Sequence, residues 1–216
     1  MTMRLSRIVV FAASSLFAVS SRASSQSLAN RISGAGDRAV QFSYKAKPGV
    51  CGDGRTYIST GSGNLYGSFS SSSASEQCQP GPVRIVLDLA DRNVVAIRTY
   101  VGTADATDAG VTNLGTVPTA EAAEYLIGVA SRADGRVGRD AIFAALLGDS
   151  VEITSRLLDI GRDQARPLET RRAALAGLVR SDARQLDNVG QSLVQIATNE
   201  SDVQAVRSTA LSRLRA

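Results

Sequence analysis

The chain of 216 residues contains no histidine. The side chain most often used as a general base near neutral pH is therefore missing, and Ser-His-Asp and Cys-His nucleophile systems are excluded. Cys51 and Cys78 are the only cysteines. With no His to join them they cannot complete a four-ligand zinc site, and in an oxidising compartment a lone pair is most simply a disulfide. Closing a loop of that length stabilises a fold by roughly 3 kcal/mol on the chain-entropy account, and bridged thiols are not nucleophiles. Next to Cys51, the stretch Cys51-Gly52-Asp53-Gly54-Arg55 sets a carboxylate near a guanidinium, with Tyr57 following. Asp53 could hold a cation or act as a base while Arg55 grips an anion, which would make a hydrolase or ligand-binding site. The same residues read more simply as a turn beside the disulfide, with glycines supplying positive φ. Asp88, Asp91, Asp105 and Asp108 lack the alternate spacing and closing Glu of a calcium loop. Gly52, Gly54, Gly61 and Gly63 lack the Lys of a phosphate loop. No catalytic constellation, metal site or cofactor is expected.

The other residues of interest are arginines at a regular place. Arg139, Arg171 and Arg207 each open the pattern Arg-x-x-[Ala/Ile]-x-x-x-Leu, continued by Ile142 and Leu146, by Ala174 and Leu178, and by Ala210 and Leu214. Apolar positions three and seven after the arginine lie along one helix face. The pattern belongs to a longer repeat. Leu157, Leu158, Ile160 and Gly161 map onto Leu193, Val194, Ile196 and Ala197, and Arg171, Ala174, Leu175 and Leu178 map onto Arg207, Ala210, Leu211 and Leu214. Self-similarity at a period of 36 residues marks stacked supersecondary units, which bury a shared core and present binding surfaces. Arg139, Arg171 and Arg207 have two readings. They form a basic ladder that contacts an acidic partner, or each guanidinium bonds turn carbonyls and acids of the neighbouring unit.

Two textures must position these residues. From about 38 to 102 the signals are for strands, at Val40–Ala46, Arg55–Thr60, Val83–Leu89 and Asn93–Val101. The last two flank a tight turn at Ala90-Asp91-Arg92 and read as a hairpin. Gly61 to Ser75 is a loop rich in Gly and Ser. This predicts a small antiparallel β-domain clipped by one disulfide, with one face covered. Residues 103–118 read as a linker. From Thr119 the pattern is helical to the end, in six helices joined by short polar turns. Thr119, Asp149 and Ser201 with Gln204 are candidate caps, and Pro167 sits in a first turn. The fold class expected is α+β, a small β-domain followed over 119–216 by about three helical hairpins.

The helical half resembles HEAT repeats, whose second helix commonly carries Val-Arg-x-x-Ala-x-x-x-Leu; Val206, Arg207, Ala210 and Leu214 match in full. In the upstream copies Gly138 and Thr170 stand where Val is expected. The stretches Val50 to Gly54, Gly81 to Arg84, Arg98 to Gly102 and Ala133 to Ile142 look more loosely like exported bacterial HEAT-repeat proteins of uncharacterised function. The resemblance implies a short α-solenoid and brings no activity with it.

Residues 1–23 read as a secretory signal, with Arg4 and Arg7 ahead of an apolar run from Ile8 to Val19 and small residues at Ser21 and Ala23. The run is short of the roughly 20 apolar residues that span a bilayer. Retention of the run as an anchor is the competing reading. The whole chain carries 24 Lys and Arg against 20 Asp and Glu. The signal takes Arg4, Arg7 and Arg22 with it and leaves a near-neutral remainder. Nucleic-acid binding leans on phosphate neutralisation and is not expected. The expectation is a periplasmic or secreted protein-interaction or scaffold module that binds a protein partner through its repeats, with no membrane span after cleavage. Self-association through open repeat ends is a further expectation.

Overall fold

A computed structural model describes residues 26–60, 65–66, 78–103, 110–133, 135–149, 151–178 and 183–215, with backbone alone at 65–66 and 183–187. The expected signal, most of the Gly/Ser loop, and Asp105 and Asp108 lie outside the described residues. Within them the fold is α+β, with seven helices and two small four-stranded sheets.

Helix α1 (Leu28–Gly34) comes first and was not legible as a helix. It is short, yet Ser27 Oγ accepts from the Asn30 N–H, and Leu28 and Ile32 enter the core. Strands β1 (Val40–Tyr44), β2 (Cys51–Gly52), β3 (Ile58–Ser59), β4 (Leu65–Tyr66), β5 (Gln79–Pro80), β6 (Val83–Ala90), β7 (Asn93–Val101) and β8 (Thr112–Thr116) follow. The main sheet has the order β7-β6-β1-β8, and the second the order β4-β3-β2-β5. The β6–β7 hairpin turns through Asp91 and Arg92, at φ 49° and 61°. Two successive left-handed residues are what a two-residue hairpin turn of matching twist requires. Asn93 Nδ2 donates to the Asp91 carbonyl at 3.0 Å, and the Arg92 N–H donates to Asp37 at 2.9 Å.

Two sequence expectations need correction here. Residues 103–118 contain β8, which pairs parallel to β1, so the main sheet is mixed rather than wholly antiparallel. The expected strand Arg55–Thr60 shrinks to Ile58–Ser59 because residues 53–57 are taken by a turn.

Helices α2 (Thr119–Ala130), α3 (Gly135–Leu146), α4 (Thr154–Arg162), α5 (Leu168–Gly177), α6 (Ala183–Thr198) and α7 (Gln204–Leu214) pair as three hairpins. The expected caps differ in detail. Pro118 and Val203 occupy the N-cap positions of α2 and α7, without side-chain caps. Ser201 instead bonds Asn199. The second helices lie side by side, α3 on α5 and α5 on α7. The two departures from the Val position explain one another. A Cβ on Gly138 would stand 2.5 Å from Thr170 Oγ1, so a branched residue at both places would not fit.

The sheet and the hairpins share one core. Val40, Phe42 and Tyr44 alternate toward the helices, as the two-residue period demands. Phe42 meets Tyr125 of α2 edge-on, and the buried Tyr44 hydroxyl donates to the Ala144 carbonyl at 2.5 Å. Burial pushes the Tyr44 phenol far above its ordinary range. Backbone bonds seal the joint, from the Lys47 N–H to the Leu147 carbonyl and from the Asp149 N–H to the Lys45 carbonyl. The sheet face is thus covered by α2 and α3.

Candidate functional site

Cys51 and Cys78 form the expected disulfide, with Cα atoms 5.2 Å apart. It ties β2 to the residue before β5. Gly52 lies between backbones here, since a Cβ would come within 2.5 Å of both the Tyr57 and the Val101 carbonyl oxygens. Gly54 supplies the positive φ, 76°. Asp53 Oδ1 accepts from the N–H groups of Arg55, Thr56 and Tyr57 at 2.8 to 2.9 Å, and Oδ2 accepts from the Thr56 hydroxyl at 3.0 Å. Partial burial pushes this carboxyl up. The four donors outweigh it and hold the pKa at about 2. A carboxylate so far below its ordinary range, with both oxygens engaged in its own turn, is a poor base and a good turn lock. Arg55 is exposed, and the turn takes up only its backbone N–H. The geometry is that of the turn reading.

The three ladder arginines do not form one exposed strip. Arg171 is 3% exposed. Its Nε donates to the Gly161 carbonyl at 3.1 Å, and its two Nη atoms clasp Asp202, from the loop before α7, bidentately. That hydrogen bonding holds the Asp202 carboxyl below its ordinary range. Arg207 repeats half of the arrangement, with Nε donating to the Ala197 carbonyl at 3.2 Å. Gly161 and Ala197 are the repeat-equivalent positions, each ten residues before its arginine. Arg139 is half-exposed and bonds Asp140 at 3.2 Å and Glu169, in the next hairpin, at 3.0 Å. Carbonyls and neighbouring acids take the Nε of all three, both Nη atoms of Arg171 and one of Arg139. A buried guanidinium such as that of Arg171 is out of reach of any partner.

Above this seam lies a cleft of about 650 Å³, walled on one side by β3 and β7 and on the other by α3, α5 and α7. Its floor is apolar, from Ile58, Ile97, Ile142, Phe143, Leu146, Ala173 and Ala176. Gly177 brings the walls close, because a Cβ there would meet Leu146 at 2.6 Å. Four cations line the cleft, Lys47, Arg139, Arg172 and Arg213, against two acids, Asp140 and Glu169. Arg139 occupies both acids. Among the described residues the Arg172 side chain reaches the Thr209 hydroxyl alone, at 3.4 Å. The Nε of Arg213 is buried and has no hydrogen-bond partner among the described residues. Half-burial pulls the Lys47 ammonium below its ordinary pKa. Among the described residues none of Arg172, Arg213 and Lys47 has an acidic partner, whereas seven other bases do.

Of the candidate site residues singled out in the sequence, Arg139 alone lines this cleft, with the apolar Ile142 and Leu146 of its own repeat pattern. Arg172 and Arg213 were missed. The signal was present at Arg171-Arg172. Consecutive helical residues point about 100° apart, so an arginine that enters the seam turns its neighbour toward another surface. Among the described residues no cluster of three His, Cys, Asp or Glu side chains comes together, and no helix is long and apolar enough to cross a membrane. Comparison with protein-family models, curated proteins and solved structures finds no match to the chain.

Proposed function

We propose that the chain is an exported interaction module, of HEAT-like build in its helical half, that holds a protein partner in the cleft between its sheet and the second helices of its hairpins. The observation that carries this reading is the cleft itself. It has an apolar floor, a rim of four cations against two acids that Arg139 already occupies, and walls contributed by all three hairpins. Apolar centres with polar rims and enriched arginine are the composition of protein interfaces. The recurring bond from Arg171 to Gly161 and from Arg207 to Ala197 supports a repeating unit. The disulfide suits an oxidising compartment. An active site at Asp53 and Arg55 is disfavoured, because the Asp53 carboxylate is consumed by its own turn.

The test is photo-crosslinking. A benzoylphenylalanine at Ala176, inside the cleft, should trap one defined protein from the native envelope. The same group at Val95, exposed on β7, should not. Filling the cleft by Ala173→Trp should abolish the Ala176 product. Equal trapping from both positions, or trapping that survives the filled cleft, would remove the reading.

A further inference from the structure

Resting on that reading, we infer that the cleft takes an extended, acid-bearing segment of the partner, laid along β7 with its carboxylates on Arg172 and Arg213. Two independent observations choose this occupant.

The first is charge. Arginine donors removed from water without a partner are costly, yet Arg213 Nε is buried and unbonded. The planar guanidinium of Arg172, one turn before Ala176, has only a long bond to a hydroxyl. Arg213 follows Thr209 by four residues, so it lies on the same face of α7 as the group Arg172 touches. Both acids of the cleft are committed to Arg139. What the cleft lacks is carboxylate for Arg172 and Arg213, and guanidinium takes carboxylate bidentately.

The second is a strand edge. β7 is the outermost strand of the main sheet. The Val101 carbonyl accepts from the Gly54 N–H at 2.7 Å, so the Val101 backbone faces away from β6. By the two-residue period the backbones of Thr99 and Ile97 face the same way. Both residues line the cleft, and among the described residues neither backbone has a partner on that side. An extended chain can satisfy these groups by strand addition, placing alternate side chains toward the apolar floor and the cationic wall. A helical occupant satisfies its own backbone and leaves them unused.

The experiment measures fluorescence anisotropy of a short labelled peptide alternating Glu with Leu, against the full mature chain. The acidic peptide should bind, and its Lys-for-Glu counterpart should not. Arg172→Gln and Arg213→Gln should each weaken binding by about tenfold, the size of one charge-assisted bond, with an unchanged melting temperature. N-methylation of alternate peptide nitrogens should weaken binding by a similar factor. Equal binding of the Lys peptide, undiminished binding by the double variant, or binding of laurate but not of the peptide would overturn the inference. If Ala176 crosslinking succeeds while the acidic peptide fails, the cleft stands as the interface and this chemistry for it is rejected.

Discussion

The seam between the helical hairpins and the cleft above it are lined by the same kind of side chain, put to opposite ends. Arg171 and Arg172 are neighbours in sequence on α5. Arg171 enters the seam, is almost fully buried, and meets a carbonyl and a bidentate carboxylate. Arg172 lines the cleft and, among the described residues, forms no ion pair, since both acids there are held by Arg139. An arginine whose partners lie within the chain is a structural part. One at a cleft wall without such partners is available to another molecule. The repeat in the sequence marks the first kind and is silent about the second.

Substitutions can break or sharpen that contrast. The largest effect is expected at the seam. Arg171→Ala strands a buried Asp202 and should cost about 3 to 5 kcal/mol, read as a fall in the urea midpoint at constant slope. Arg172→Ala should stay within about 0.5 kcal/mol. If the two substitutions cost the same, the distinction between seam and cleft fails.

A second contrast lies within the repeat. Leu175 is fully buried, while its equivalent Leu211 is 43% exposed. Leu175→Ala should cost about 3 kcal/mol, and Leu211→Ala less than about 1 kcal/mol, by thermal unfolding. Replacing Cys51 and Cys78 together by Ser should cost roughly 3 kcal/mol and loosen the sheet wall of the cleft without opening the seam. Proteolysis should then cut near β2 and β5 before it cuts the hairpins.

The smallest effect is expected at Asp53. Its folded pKa, about 2, lies below the unfolded value, so its stabilising contribution is present above pH ~4 and is lost as pH falls toward 2. Asp53→Ala should remove about 1 kcal/mol at neutral pH and flatten the acid limb of the stability profile. An unchanged acid limb would mean that the turn does not hold the carboxylate as described.

The helical half was largely legible, because hydrophobic period and a 36-residue echo constrain packing directly. The echo even explains its own imperfections. Gly161 answers to Ala197 because Leu175 presses on it, with a Cβ approach of 2.5 Å to Leu175 Cδ2, while the exposed Leu211 demands no such room. Gly138 and Thr170, odd as repeat residues, are a matched pair across α3 and α5. The disulfide was legible from a single pair of cysteines, no His to join them, and the expectation of an oxidising compartment. The hairpin at Asp91-Arg92 was legible from its flanking apolar runs.

What escaped depended on tertiary partners. α1 and β8 are weak in local preference and exist because the core and the β1 edge accept them. The joint between sheet and hairpins rests on backbone bonds such as Lys47 to Leu147, which no side-chain pattern announces. The cleft needs that joint, so its lining could not be assembled from either half alone. Arg139 was found for its place in the repeat. Arg172 and Arg213 stand outside the repeat pattern and became visible only when β7 and α7 were seen to face each other.

The proposed role of the arginines outside the ladder, on the cleft wall, is to serve another molecule. Titration of the Glu–Leu peptide into the Arg172→Gln, Arg213→Gln double variant tests it most directly, alongside the unmodified chain at the same melting temperature. The account predicts that affinity falls by at least about tenfold while stability holds. Full affinity in the double variant would contradict it.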